Sequence, residues 1–331
     1  MKTRREFLIS SCAGLFLVAT SLAALAQQGK LRRIGFFYFG TRQSAIESGR
    51  HPAFLDGMRR LGYVQGKDLV IEERFADGKA ELLPGLAAEL VQSKVELIVA
   101  TGSQIYAALK SATKTVPVVI TTTANPIGEG LAVSLARPGG NFTGLSTANI
   151  ELIPKHIELL RAAVPKLSRL AVLWNPSNPG HPARLNAMRA AASDARVQAL
   201  EVSVLSPEEI ERGFASMSKQ RAEALVVLND TFFVQQSRQI ASLAIKHRLP
   251  SIHGTTEYPE DGGFMGYGQN IVENFRTAAI FVDKILKGAR PAELPFEQPM
   301  RLELVINRKT AKAIGLAIPQ ELLLRADRVI E

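Results

Sequence analysis

The chain has 331 residues, enough for two domains with cores of their own, and its 46% hydrophobic and 21% charged content is that of a globular protein rather than a disordered or fibrous one. The formal net charge is +9, but Lys and Arg are scattered along helices beside Asp and Glu, and one Trp and five Tyr leave little for base stacking, so a nucleic-acid reader is excluded in favour of a plainly basic surface. Cys12 is the only cysteine, and it sits in the first segment, so the rest of the chain has no disulfide, no thiolate nucleophile and no cysteine metal ligand.

That first segment has the plan of an export leader. Lys2, Arg4 and Arg5 form a basic start, residues 7–25 are mostly apolar, and Ala24, Leu25 and Ala26 offer a cleavage site after Ala26. Residues 1–26 are therefore expected to be a signal peptide, and the mature chain to be periplasmic. A retained membrane anchor is the alternative, although Ser10, Ser11, Thr20 and Ser21 dilute the apolar run. The string TRREFL at 3–8 resembles a twin-arginine export signal, against the alternative of an ordinary basic start that holds two arginines. Cys12 lies too near the N-terminus to be a lipid-attachment cysteine.

From Arg33 onward short apolar runs alternate with amphipathic segments. Strands are expected at 34–39, 69–71, 97–100, 118–120 and 142–145, with helices near 52–61, 80–92 and 104–113 between them. The pattern then restarts. A helix within 149–164 places Ile153, Ile157, Leu160 and Val164 on one stripe, and strands follow at 170–173, 197–204, 225–228 and 251–252. Ser206, Pro207 and Glu209 mark a capped helix start. Ile271, Phe275, Ala278, Val282 and Ile285 mark a late amphipathic helix. This punctuation predicts α/β architecture with parallel sheets covered on both faces.

The two halves echo each other. The string LIVATG at 97–102 corresponds to LVVLND at 225–230, and Pro117, Thr122, Thr123 and Pro126 recur at one fixed spacing as Pro250, Thr255, Thr256 and Pro259. Two doubly wound lobes would turn the carboxyl ends of their strands toward a shared cleft, lined by strand exits and helix N-termini. The residues at those exits are the candidate ligand-binding set: Tyr38, Phe39, Thr101, Gly102, Ser103, Gln104, Thr122, Asn125, Asn175, Asp230, Thr255, Glu257, Tyr258 and Tyr267.

The strings LAAEL at 86–90, NPIGEGL at 125–131, LARPGGN at 135–141, VLWNP at 172–176, KHRLP at 246–250, GYG at 266–268 and VDKILKG at 282–288 occur in an order and spacing that resembles the ABC transporter substrate-binding family of the tryptophan-receptor type. The resemblance covers essentially all of the chain after the leader. It implies a type I periplasmic-binding-protein fold and a monomer that closes on a small solute. The solute would be an amino acid or an aromatic acid, presented to a membrane permease driven by an ATPase, with no cofactor. It also implies three hinge crossings, near 143–146, 258–262 and 291–299. One lobe would then comprise residues 30–144 with 263–290, and the other 145–262 with 300–331. Family members often carry Asp-Pro where this chain has Asn125 and Pro126, so a charge that could pair with an amino group is missing there.

Catalytic and metal readings find little support. Ser103 follows a strand but lacks the second glycine of a nucleophile elbow, and a ligand hydrogen bond or a helix cap explains it better. His51, His156, His181, His247 and His253 show no metal-ligand spacing, and neither a dinucleotide nor a phosphate loop is present. Asp230 reads equally as a ligand contact or as the cap of a helix beginning at Thr231. Tyr38, Tyr258 and Tyr267 are candidates to stack on a flat ligand; for Phe39, core packing competes. An exported enzyme of the doubly wound class and a ligand sensor for a membrane signalling protein are the rival functions. The first would need an acid–base or nucleophile–base pair that the sequence does not show.

Overall fold

The computed structural model describes residues 31–147, 150–298 and 301–331. The expected signal peptide at 1–26 and the end of the third expected crossing lie outside the described residues.

The first sheet has five parallel strands in the order β2-β1-β3-β4-β5. They are β1 (Arg32–Tyr38), β2 (Leu69–Phe75), β3 (Ile98–Ala100), β4 (Val118–Thr123) and β5 (Phe142–Ser146). Its connecting helices are α1 (Arg42–Glu47), α2 (Arg50–Arg60), α3 (Leu83–Gln92) and α4 (Ser103–Ala112). The buried strands read as near-continuous apolar runs because helices cover both faces. Phe37, Ile98 and Ile120 pack toward α3 and α4, whereas Ile34, Phe36 and Val119 pack toward α2.

The second sheet has seven strands in the order β12-β11-β10-β9-β8-β6-β7. Its parallel part comprises β6 (Arg169–Trp174), β7 (Gln198–Ser203), β8 (Ala224–Val227), β9 (Ser251–Thr255) and β10 (Met265–Gln269). Helices α5 (Ile153–Ala163) and α6 (His181–Asp194) cover one face. The other carries α7 (Pro207–Lys219), α8 (Thr231–Gln235) and α9 (Ser237–Lys246). Ser206 caps α7 by accepting from the Glu209 amide, as its position before Pro207 predicts.

The chain then leaves this sheet. Helix α10 (Ile271–Leu286) lays Phe275, Ala278 and Val282 on the first sheet's core, packed along α2. It returns as β11 (Glu303–Asn307), antiparallel to β10, followed by α11 (Arg308–Ala313), α12 (Gln320–Leu324) and β12 (Arg328–Ile330).

This topology corrects two expected crossings. Residues 263–269 do not return to the first sheet, because β10 pairs with β9 through Met265–Ile252 and Gly266–His253. The passage falls at Asn270, which caps α10 through the Glu273 amide. β5 stays in the first sheet through Ser146, so the first crossing follows the stretch where it was expected. On the way back, Glu297 still bridges Leu145 and accepts from the Ser146 amide.

Candidate functional site

Parallel strands bring their carboxyl ends to one edge, and the two sheets place those edges against each other. A cavity of about 60 Å³ lies there. The first sheet supplies Thr101 after β3, Thr122 and Thr123 at the end of β4, and the Gly102–Ser103 start of α4. Gly102 adopts φ +105°, a conformation that favours glycine, and a methyl there would come within 3.0 Å of Thr231 Cγ2. The second sheet supplies Asn229 and Asp230 after β8, Thr231, and Thr255 at the end of β9. The start of α4 thus faces the start of α8, and the Thr231 hydroxyl donates to Gln104 Oε1 at 3.4 Å.

Two arginines line the same cavity, one from each side. Arg50 opens α2 and is only 4% exposed. Its Nη1 donates to the Tyr38 hydroxyl at 3.0 Å, and its Nε has no protein acceptor. Burial opposes the charge, yet Tyr38, Glu257 and Asp261 together hold it above its ordinary pKa. Arg184, on α6, is 6% exposed. It donates through Nη1 to the Asn229 carbonyl, and its Nε is likewise without an acceptor. Burial lowers its pKa, partly offset by Glu129 and Asp230.

Glu129 stands behind the threonines. Its Oε1 accepts from Thr123 at 3.0 Å and Ser103 at 3.3 Å, while Oε2 has no protein donor. Burial pushes its carboxyl up, against the pull of Arg184. Asn125 lies one turn earlier, and its Oδ1 accepts from the Gly128 amide at 2.8 Å, shaping the turn. The carboxylate of this motif is therefore at 129 and not at 125.

Asp230 caps α8 and also lines the cavity, so both readings of it hold geometrically. Oδ1 accepts from the Phe232 amide at 2.8 Å and from Asn175 at 3.3 Å, and Oδ2 accepts from Asn178 at 2.5 Å. His181 sits behind it. Its Nδ1 accepts from the Asn175 amide at 2.8 Å, which leaves Nε2 to donate to the Asn229 carbonyl at 3.1 Å. Burial brings its pKa down to about 4, against the attraction of Asp230.

The other candidates divide. Thr101, Gly102, Ser103, Thr122, Asp230 and Thr255 line the cavity, and Gln104 and Asn175 hold its walls. Glu257 spends Oε1 on the Ile271 and Val272 amides at the start of α10, where the helix dipole favours an anion. Tyr38 and Phe39 are buried in the first sheet's cores, and Tyr258 is buried with its hydroxyl against Ser251 at 2.9 Å. Tyr267 packs its ring edge-on to His156, away from the cavity. None of these four side chains, and no other aromatic residue among the described residues, lines this cavity; Tyr258 lines the smaller cavity that shares Arg50 and Thr255 with it. Arg50, Glu129 and Arg184 were missed from sequence because they sit within helices or a turn rather than at strand exits. The one usable signal was Glu129, four residues after Asn125 in the same motif.

Two α/β sheets joined by crossovers, with a polar cavity between their strand ends, define the type I periplasmic-binding-protein fold. Residues 46–330 match the family model described as ABC transporter substrate binding protein, and the chain belongs to that family of non-enzymatic solute-binding proteins. It is 23% identical over 263 residues to a tyrosine-binding protein of Clostridioides difficile, covering 80% of this chain and 75% of the relative. Among solved structures, it superimposes on an ABC domain from Streptococcus pneumoniae in complex with L-Trp with a TM-score of 0.83. Identity is 25%, over 90% of this chain and 99% of that one. A conserved domain protein of Vibrio cholerae gives a TM-score of 0.84 at 24% identity, over 91% and 100%.

Proposed function

We propose that the chain is the extracytoplasmic receptor of an ABC importer that closes two lobes on a small carboxylate-bearing solute. The lobes correspond to the two sheets, with α10 belonging to the first. The observation that carries this reading is the pair of buried arginines, one from each side, that meet on one cavity with unmet hydrogen-bonding groups. Buried polar groups are nearly always paired, so unpaired ones on residues that line a cavity favour a ligand that completes them. A ligand touching both lobes binds the closed arrangement better than the open one and shifts the population toward closure. The relatives named for tyrosine and tryptophan point to carboxylate-bearing solutes, and the start of α4 beside Ser103 suits an anionic group.

The closed receptor would then dock on a permease served by an ATPase, and the leader would direct export. Removal of residues 1–26 is tested by mass spectrometry of the exported protein, with Gln27 expected as the first residue. Replacing Arg4 and Arg5 by lysine is expected to stop export of a folded reporter fused to the leader, whereas unimpaired export would refute the twin-arginine route.

Binding is tested by a thermal-shift screen of amino acids, monocarboxylates and dicarboxylates. A cognate solute at a hundredfold excess over Kd adds about 2.7 kcal/mol of stability. No shift with any carboxylate would remove this reading of the cavity.

A further inference from the structure

The relatives are named for ligands that carry aromatic rings, whereas no aromatic residue lines this cavity among the described residues; Phe233 and Tyr258 line a separate, smaller cavity that shares Arg50 and Thr255 with it. Ile271 is its one large apolar lining residue among the described residues. Pockets for aromatic ligands use apolar and aromatic walls, because a ring set against hydroxyls and amides desolvates them without a return bond. What the cavity does present is two guanidiniums. Neither Arg50 nor Arg184 has a carboxylate within 4 Å among the described residues. Their nearest carboxylates act at longer range, Glu257 and Asp261 on Arg50 and Glu129 and Asp230 on Arg184, so a direct anionic partner is still open to each. Each planar fork matches one carboxylate, and the forks come from opposite sides, so one carboxylate per fork is the arrangement that satisfies both.

The groups that could hold an ammonium are largely committed. Asp230 already accepts from Asn175, Asn178 and the Phe232 amide, which use three of its about four acceptor positions. Glu129 and Glu257 each keep one oxygen without a protein donor, but neither residue lines the cavity.

We infer that the solute is a short-chain diacid, one carboxylate held by Arg50 of the first lobe and the other by Arg184 of the second. This inference rests on the reading of the cavity as a solute site.

The test is isothermal titration of the purified protein with succinate, glutarate, the mono-amide succinamate, glutamate, tyrosine and tryptophan. A diacid is expected to bind at least about tenfold more tightly than succinamate, since one charge-assisted contact is lost in the amide. Glutamate binding as tightly as the plain diacids also supports the inference, because it retains both carboxylates. Tyrosine or tryptophan binding more tightly than every diacid overturns the inference and leaves the receptor reading standing, whereas no binding by any compound overturns both.

The variants Arg50→Gln and Arg184→Gln, checked for fold by circular dichroism, are each expected to lose the preference for succinate over succinamate. A preference retained in both overturns the inference. If either variant fails to fold, the succinate-to-succinamate ratio of the unmodified protein decides alone.

Discussion

Asp230 accepts three hydrogen bonds within the protein from a fully buried side chain, so its removal is first a matter of stability. Asp230→Ala leaves the Asn175 and Asn178 amides and the Phe232 N–H without their acceptor, and a loss of roughly 1–3 kcal/mol is expected in urea denaturation without ligand. An unchanged midpoint would show that the asparagines find other partners. The buried histidines set a pH dependence. Burial brings His156 and His181 to about 4 and His253 to about 3. The unfolded chain takes up these protons near pH 6.5 while the folded chain does not. Stability is therefore fully present above about 6.5 and falls as pH drops toward about 4, by roughly 1.4 kcal/mol per pH unit for each histidine. The urea midpoint is expected to be lower at pH 5 than at pH 7.5. His156→Gln should flatten that slope by about one proton, and an equal slope would show that His156 does not contribute.

At the scale of elements, the contact between α2 and α10 ties a late helix to the first sheet. Gly57 makes it possible, since a methyl there would lie 2.6 Å from the Arg276 carbonyl oxygen and 2.9 Å from Ala279 Cβ. Gly57→Val is expected to force the helices apart and cost roughly 1–3 kcal/mol, as overpacking does. Gly85 in α3 has nothing within 4 Å, and Gly85→Ala should stabilise by about 0.5–1 kcal/mol. Thermal melts of the two variants should move in opposite directions. Helix α10 itself was legible from its apolar spacing. Its attachment was less so: β10 is a five-residue strand in which Gly266 and Gly268 break the apolar alternation, so its sheet could not be assigned from the string GYG alone.

At the scale of the molecule, closure is what the cavity implies. Gln104 meets Thr231 across it, and one apolar cluster includes Phe39 and Phe233 from the two sides. Small-angle scattering is expected to show a smaller radius of gyration with a cognate diacid than without it. An unchanged radius with saturating ligand would mean that binding does not select the closed arrangement. Arg50→Gln should weaken this compaction, since only one lobe would then grip its carboxylate.

The alternation of apolar runs and amphipathic helices was enough by itself to establish parallel α/β architecture in two halves, because period and length are local properties that burial on both faces imposes on each strand. The same pattern put Thr101, Ser103, Thr122, Asp230 and Thr255 at strand exits, and all five line the cavity between the sheets. Only the tertiary structure decided the rest. It turned Tyr38, Phe39 and Tyr258 inward, bound Asn125 to its own turn, and brought Arg50 and Arg184 to one cavity from helices far apart in sequence. Which side chains share a cavity depends on how two sheets face each other, and no local period encodes that distance.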